Sequence, residues 1–184
     1  PNIFQAYFKN KALTKEAFDR EGWFHTGDLG FLDNQGYLTI IGRKKEMIVT
    51  SGGKNVWPEA IESLLNNDRF ISQSMIIGNK RKFISALIVP DWQEIEKYLK
   101  EQGLPLKEHK KLIKDPQILE IFKQRIEEKI NPHLSEVERI KKFRLLPQEF
   151  SQEQDELTPT LKLRRNIIEK HYKKIIDSIY SENK

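Results

Sequence analysis

Hydrophobic positions recur along this chain in two rhythms, and the change of rhythm marks the elements. Alternating or short continuous apolar runs occur at Phe31-Leu32 and Tyr37–Ile41, with Asp33-Asn34-Gln35-Gly36 between them as a turn. That spacing predicts a small β-hairpin. Two longer runs, 70–77 and 83–89, flank Gly78-Asn79-Lys80-Arg81-Lys82 and predict a second hairpin with a basic tip. Ile140–Leu146 reads as a further strand. Helical spacing appears in Ile61, Leu64 and Leu65, and in Ile95, Tyr98 and Leu99. It returns in Ile118, Ile121, Phe122, Ile126 and Ile130 as a buried stripe. Leu163, Ile167, Ile168, Ile175, Ile176 and Ile179 predict one final amphipathic helix. A short helix is expected over Leu13–Asp19, with Thr14 as its N-cap and Ala17-Phe18 packing inward.

The punctuation agrees with these boundaries. Pro58 and Pro116 suit first helical turns, where a fixed φ and a missing N–H cost nothing. Glu59 and Glu62 then fall near the positive end of the first helix dipole. Asp91 is a natural N-cap, while Gly103-Leu104-Pro105 and Asn131-Pro132 stop helices. The acidic segment Gln148–Glu156 has neither rhythm and is expected to be a mobile loop. The stretch from Gly42 to Glu62 separates short strands from a compact body, so it reads as a junction. The expected organisation is 1–43, the hairpin end of a larger domain, followed by 44–184, a small α+β domain. The latter has about three strands packed by four or five helices. A hairpin as small as the first cannot bury its own faces and is expected to lean on a larger body.

Composition narrows the function classes. The chain has 184 residues, 38% hydrophobic and 32% charged, enough for a real core. No apolar run approaches the roughly 18 residues that a membrane span needs. Pro1 is not an initiator methionine and no secretory pattern follows it, so the chain is expected to be a piece of something longer. There is no cysteine, which excludes disulfides, thiolate ligands and a cysteine nucleophile, and points to the cytoplasm. A formal charge of +5 favours anionic partners: phosphorylated cofactors, acidic membrane or nucleic acid.

Three constellations could carry chemistry, and each has a plain alternative. In Thr26-Gly27-Asp28-Leu29-Gly30 a carboxylate between glycines can accept two hydrogen bonds from a vicinal diol. On these residues alone an Asx-type turn explains it better. Arg43-Lys44-Lys45 precedes the Gly52-Gly53 turn, whose paired glycines let a backbone approach a ligand closely. On these residues alone an ordinary hairpin turn beside a solvated basic strand end explains it better. It is not a P-loop: Asn55 stands where Ser or Thr is required, and Ile48 where the first glycine should be. The third is Lys162 in LTPTLKLRR, an ammonium able to reach a phosphate or a plain helix-start lysine. The four histidines are scattered and make no metal pattern, and no nucleophile stands beside a base.

Together and in this order, the three resemble the C-terminal end of the adenylate-forming acyl-CoA synthetases, the superfamily that includes luciferases and peptide-synthetase adenylation domains. GWFHTGDLG is similar to the ribose-binding motif, GRKKEMIVTSGGKNVWPEAIE to the hinge-and-loop motif, and LTPTLKLRR to the C-terminal lysine motif. The wording of the last two looks most like the long-chain fatty-acid branch. Many relatives carry glycine before the final lysine; here Leu161 stands there, a less permissive backbone.

The resemblance implies roles. Asp28 would hold the ribose hydroxyls of ATP and of the acyl-adenylate, and Arg43 would lie beside ribose and phosphate. Lys45 would be the hinge between two poses of the small domain. In one pose Lys162 would bridge substrate carboxylate and α-phosphate as pyrophosphate leaves. In the other, Gly52 and Gly53 would line the channel for the CoA pantetheine. Glu59 would have a supporting structural role. Lys54, Arg81 and Lys82 could meet CoA phosphates, or could be solvated surface charge. Fatty acid, ATP, CoA and Mg²⁺ are the implied ligands. The Mg²⁺ ligands, phosphate-gripping loop and acyl tunnel are expected in a large N-terminal domain that is also the partner, so this chain alone is expected to be inactive. The implied location is the cytoplasm, with room for peripheral contact at the inner face of the membrane. Two alternatives remain: an adenylating enzyme for another carboxylic acid, and a free-standing basic module for nucleic acid or membrane. Against the last, the aromatics sit in core-like patterns rather than among the basic residues, so no nucleic-acid partner is expected.

Overall fold

A computed structural model describes residues 2–181. The chain divides into two compact units, with Glu46 ending the first and Met47 opening the second. In the first unit, α1 (Lys11–Ala17) is capped by Asn10, whose side chain accepts from the Leu13 amide at 3.0 Å. The cap is therefore not Thr14. Its hydroxyl instead accepts from the Tyr7 amide and donates to the Asn10 carbonyl. Phe18 does pack inward, its ring 5.5 Å from Phe4 and 5.3 Å from Phe24. β1 (Asp28–Leu32) and β2 (Leu38–Arg43) form the expected antiparallel hairpin, with Phe31, Leu32, Leu38 and Ile40 exposed on it.

The second unit is a mixed α+β domain. A two-residue ladder pairs β3 (Ile48–Val49) with β4 (Asn55–Val56) around the Thr50 turn. α2 (Pro58–Asn66) follows with Pro58 at its start. The main sheet has the order β5-β6-β7. β5 (Ile71–Ile77) and β6 (Ile84–Pro90) are antiparallel, and β7 (Ile140–Leu145) runs parallel to β6. Between β6 and β7 lie α3 (Trp92–Glu101), α4 (His109–Leu112) and α5 (Pro116–Arg125). α5 continues through a π turn over Ile126–Ile130 before Asn131-Pro132 closes it.

Every residue of β6 is buried because the sheet is covered on both faces. Alternation sends Ile76, Ile84, Ala86 and Ile88 into one core with α2, α3 and α5. Met75, Ile77, Leu87 and Val89 face a second core with Ile168, Ile176 and Ile179. The last helical stretch is two helices, α6 (Arg165–His171) and α7 (Lys173–Ser181), broken at Tyr172. The acidic segment expected to be mobile is held instead. Phe150 within it and Leu157 just beyond it belong to the second core, and the Phe150 amide donates to the Gln73 side chain at 2.6 Å. Its periodicity is unreadable because it is a packed irregular segment, with two large apolar anchors spaced to suit neither strand nor helix.

Candidate functional site

In the first unit, β1–β2 pairing sets Asp28 opposite Arg43. The Arg43 Nε lies 3.0 Å from the Asp28 carboxylate, both partly exposed. Thr26 Oγ1 accepts from the Asp28 amide, so the backbone there is tied locally while the carboxylate meets the guanidinium. The structure thus brings together two residues that the sequence named separately. Lys45 sits exposed in a single 3₁₀ turn, Lys44–Glu46, at the end of this unit.

The Thr50 turn opens the second unit. The Thr50 amide donates to the Lys54 carbonyl at 3.0 Å, the Lys54 amide to Thr50 Oγ1 at 3.2 Å, and the Gly53 amide to the Thr50 carbonyl at 2.9 Å. Gly53 has φ +72°, a region L side chains avoid, and Gly52 and Gly53 are both exposed. The turn rests on the β5–β6 tip: the Ser51 amide donates to the Arg81 carbonyl and the Lys80 amide to the Val49 carbonyl. A Cβ at Gly78 would lie 2.4 Å from Ile84 Cδ1 and 3.2 Å from Ile48 Cγ2, so a side chain there would press on both.

Lys162 ends a loop built the same way. The Thr158 amide donates to the Lys162 carbonyl at 2.8 Å, the Lys162 amide to Thr158 Oγ1 at 3.0 Å, and the Leu161 amide to the Thr158 carbonyl at 2.9 Å. Leu161, at φ +60°, occupies the place that Gly53 holds in the other loop. Each loop therefore starts at a threonine, passes through one left-handed residue and presents a lysine. No periodicity signals this likeness, since it lies in hydrogen bonds rather than in composition.

Residues that sequence reasoning left outside the site hold the second loop. Arg165 grips the buried Glu62 with both terminal nitrogens, at 2.8 and 2.5 Å. The same carboxylate accepts from the Ile76 amide at 2.7 Å. Glu62 is thus no helix-dipole residue; it fastens α6 to α2 and to the sheet. Its position between Ile61 and Leu65 on the buried face was the available signal. On the other side of the loop, buried Glu156 accepts from the Ser151 amide and pairs with His171 at 2.9 Å. Burial, with the Glu156 charge adding to it, pushes the Tyr172 phenol up from its ordinary range. Arg81 and Lys82 part company at the hairpin tip. Arg81 meets Asp177 at 2.7 Å and lies over the Tyr180 ring, while Lys82 stays exposed.

Fold and site define a class: a small α+β domain that presents lysines on clamped surface loops beside helices that hold them. The family model described as the AMP-binding enzyme C-terminal domain matches residues 45–184, and the chain belongs to that family. The long-chain-fatty-acid–CoA ligase FadD15 of Mycobacterium tuberculosis is 39% identical over 98% of this chain and 30% of its own length. The human long-chain-fatty-acid–CoA ligase ACSBG1 is 37% identical over 99% of this chain and 28% of its own. The chain therefore spans less than a third of the length of these relatives. Among solved structures, the adenylation domain of a carboxylate reductase from Mycobacterium chelonae shares the fold. Its TM-score is 0.76 at 22% identity, over 97% of this chain and 26% of that one. ATP-bound MatB from Rhodopseudomonas palustris gives a TM-score of 0.60 at 26% identity, over 95% of this chain and 29% of that one.

Proposed function

We propose that residues 44–184 are the mobile C-terminal domain of an ATP-dependent long-chain acyl-CoA synthetase, and that 1–43 end its large nucleotide-binding domain. Fatty acid and ATP give acyl-adenylate and pyrophosphate; the CoA thiol then displaces AMP to give acyl-CoA. The names of the relatives support the substrate class. The observation that carries the reading is the held presentation of Lys162, clamped between the Glu62–Arg165 and Glu156–His171 pairs on a loop that leaves its ammonium exposed.

In the adenylation pose Lys162 bridges the carboxylate and α-phosphate and offsets charge as pyrophosphate departs. Asp28 and Arg43 serve ribose and phosphate. Rotation at Lys45 then exchanges the Lys162 loop for the Thr50 turn, whose Gly52, Gly53 and Lys54 line the CoA channel. Among the described residues no group of three or more His, Asp or Glu could hold a metal ion, and we place the Mg²⁺ ligands in the large domain. No described helix is long and apolar enough to cross a membrane. We place the enzyme in the cytoplasm, with at most peripheral membrane contact. The ligases named above do not favour a stand-alone nucleic-acid module.

The test separates the half-reactions in the full-length enzyme: pyrophosphate release from ATP and palmitate, and thioester formation from palmitoyl-adenylate and CoA. Lys162→Ala should slow the first by about 10²–10³ and spare the second. Both half-reactions surviving intact in Lys162→Ala would refute the assignment.

A further inference from the structure

β7 pairs with β6 alone in the order β5-β6-β7, and among the described residues no strand covers its outer edge. The Leu146 amide donates to the Ile88 carbonyl at 2.8 Å. Backbone groups alternate in direction along a paired strand, so the Phe143 and Leu145 amides point away from β6. The start of the edge is answered by a side chain. Asn131 accepts from the Ile140 amide at 2.9 Å and donates to its carbonyl at 3.2 Å, as a neighbouring strand would. Farther on, the Phe143 carbonyl meets the Arg144 guanidinium at 3.1 Å, a local contact that an incoming amide can displace.

A groove of about 500 Å³ runs along this edge, lined by the consecutive β7 residues 140–144. A groove on one face of a sheet meets alternate residues; consecutive ones are reached only from the strand's edge. Its other wall is one stripe of α5 and the start of the π turn: Pro116, Leu119, Glu120, Lys123, Ile126 and Glu127, at helical spacing. Leu119, Ile126, Ile140 and Phe143 belong to the first core or pack against it, and give the groove an apolar floor. Turns of the π type recur at functional sites.

We propose that this groove takes an extended acidic peptide of a partner protein, which adds to β7 as an antiparallel strand beside α5. Main-chain bonds to an open edge supply affinity in such additions, and alternate side chains supply specificity. The alternation of β7 sets the chemistry of the occupant. Phe143 and Leu145 turn to the first core, on the α5 side. Lys142 lies across the opposite face, donating to the Ile179 carbonyl at 3.3 Å beside the Phe83 ring, and Arg144 shares that face by alternation. A fitting strand therefore places apolar side chains toward α5 and carboxylates beside Lys142 and Arg144, since opposite charges on neighbouring strands attract. The two carboxylates of the lining, Glu120 and Glu127, stand on the helix wall rather than on the strand. The same cations, with the exposed Lys141, oppose pairing of this edge with the β7 of a second copy. The site does not depend on the reaction proposed above.

The 184-residue chain is titrated with the peptide acetyl-EIEVEIE-amide and followed by NMR and hydrogen exchange. Shifts should centre on the Lys141, Phe143 and Leu145 amides and on Leu119 and Lys123 of α5. With free peptide at about ten times its Kd, exchange at Phe143 and Leu145 should slow about tenfold. In an antiparallel pair, the residues opposite these two exchange backbone bonds with them and share their face, so they are the apolar residues of the peptide. N-methylation of the isoleucine and valine amides should therefore abolish binding, while N-methylation of the glutamate amides should leave it. The basic peptide acetyl-KIKVKIK-amide should bind at least about tenfold more weakly, because its ammoniums meet like charge. Lys123→Glu/Lys141→Glu should weaken the acidic peptide by about fivefold or more, and Lys110→Glu/Lys111→Glu on α4 should not. Unchanged exchange at Phe143 and Leu145, any other pattern with the methylated peptides, or equal binding of the basic peptide overturns the proposal. The full-length enzyme should bind the acidic peptide as well. Loss of binding there also overturns it, since the edge would then be covered by the enzyme's own chain.

Discussion

Arg165→Ala should be among the most damaging single substitutions in the second unit. It removes the guanidinium from a carboxylate whose side chain is only 8% exposed, leaving Glu62 to accept from the Ile76 amide. Breaking a buried pair from one side costs about 3–5 kcal/mol, because an uncompensated charge stays in a medium that solvates it poorly. Arg165 itself is 18% exposed, so water can reach part of the space it vacates, and the low end, about 3 kcal/mol, is expected. With a urea m-value of about 2 kcal/mol/M, the midpoint should fall by about 1.5 M. Trp57 and Trp92, both partly buried in the second unit, report its unfolding by fluorescence. Trp23 of the first unit is 70% exposed and adds little change. Arg165→Lys should lie between, since an ammonium keeps the charge and loses the two-pronged grip. Glu62→Leu/Arg165→Leu should cost less than Arg165→Ala, because it removes both charges together. A loss below about 1 kcal/mol for Arg165→Ala, the size of a surface pair, would refute the reasoning.

The left-handed backbone at Leu161 gives a change of opposite sign. Leu161→Gly relieves a conformation costing about 1–2 kcal/mol and gives back part of it as chain entropy, so urea unfolding should show a net gain of about 0.5–1 kcal/mol. A loss would mean that the exposed leucine makes contacts worth more than the strain. The hydrogen bond from Lys107 to Asp115, 2.7 Å, is the main cause holding that carboxyl below its ordinary range. The Gln117 and Ile118 amides act in the same direction and desolvation opposes them. A carboxyl depressed on folding adds stability that is complete above its unfolded value, about pH 4, and is lost as pH falls through the folded one. Thermal unfolding should therefore separate Lys107→Met from the native chain at pH 7 and bring the two together near about pH 2. An equal separation at both would assign the effect to packing.

Much of the fold was legible because its determinants are local. Pro58, Asp91 and Pro116 set helix starts through their own backbone chemistry, and the two hairpins follow from short apolar runs around polar turns. The Asp28, Thr50-turn and Lys162 motifs were readable for the same reason: each is a contiguous phrase. Errors came where a local preference had a competitor nearby or far away. Thr14 looked like a cap, but Asn10 sits where the first turn's amides point. The acidic segment looked mobile because its anchors, Phe150 and Leu157, meet a core supplied by β5, β6, α6 and α7.

The sequence by itself determined the element types, the order of the motifs and the exposure of two lysines on turns, since these depend on neighbours a few residues apart. Only the tertiary structure decided which charges meet. Glu62 and Arg165 are separated by 103 positions, and Arg81 and Asp177 by 96. Lys123 and Lys141 line one groove, from α5 and from β7. A charged side chain has no periodicity that names its partner. The partner is chosen by which buried faces the sheet and helices press together, and that choice is made by packing the core.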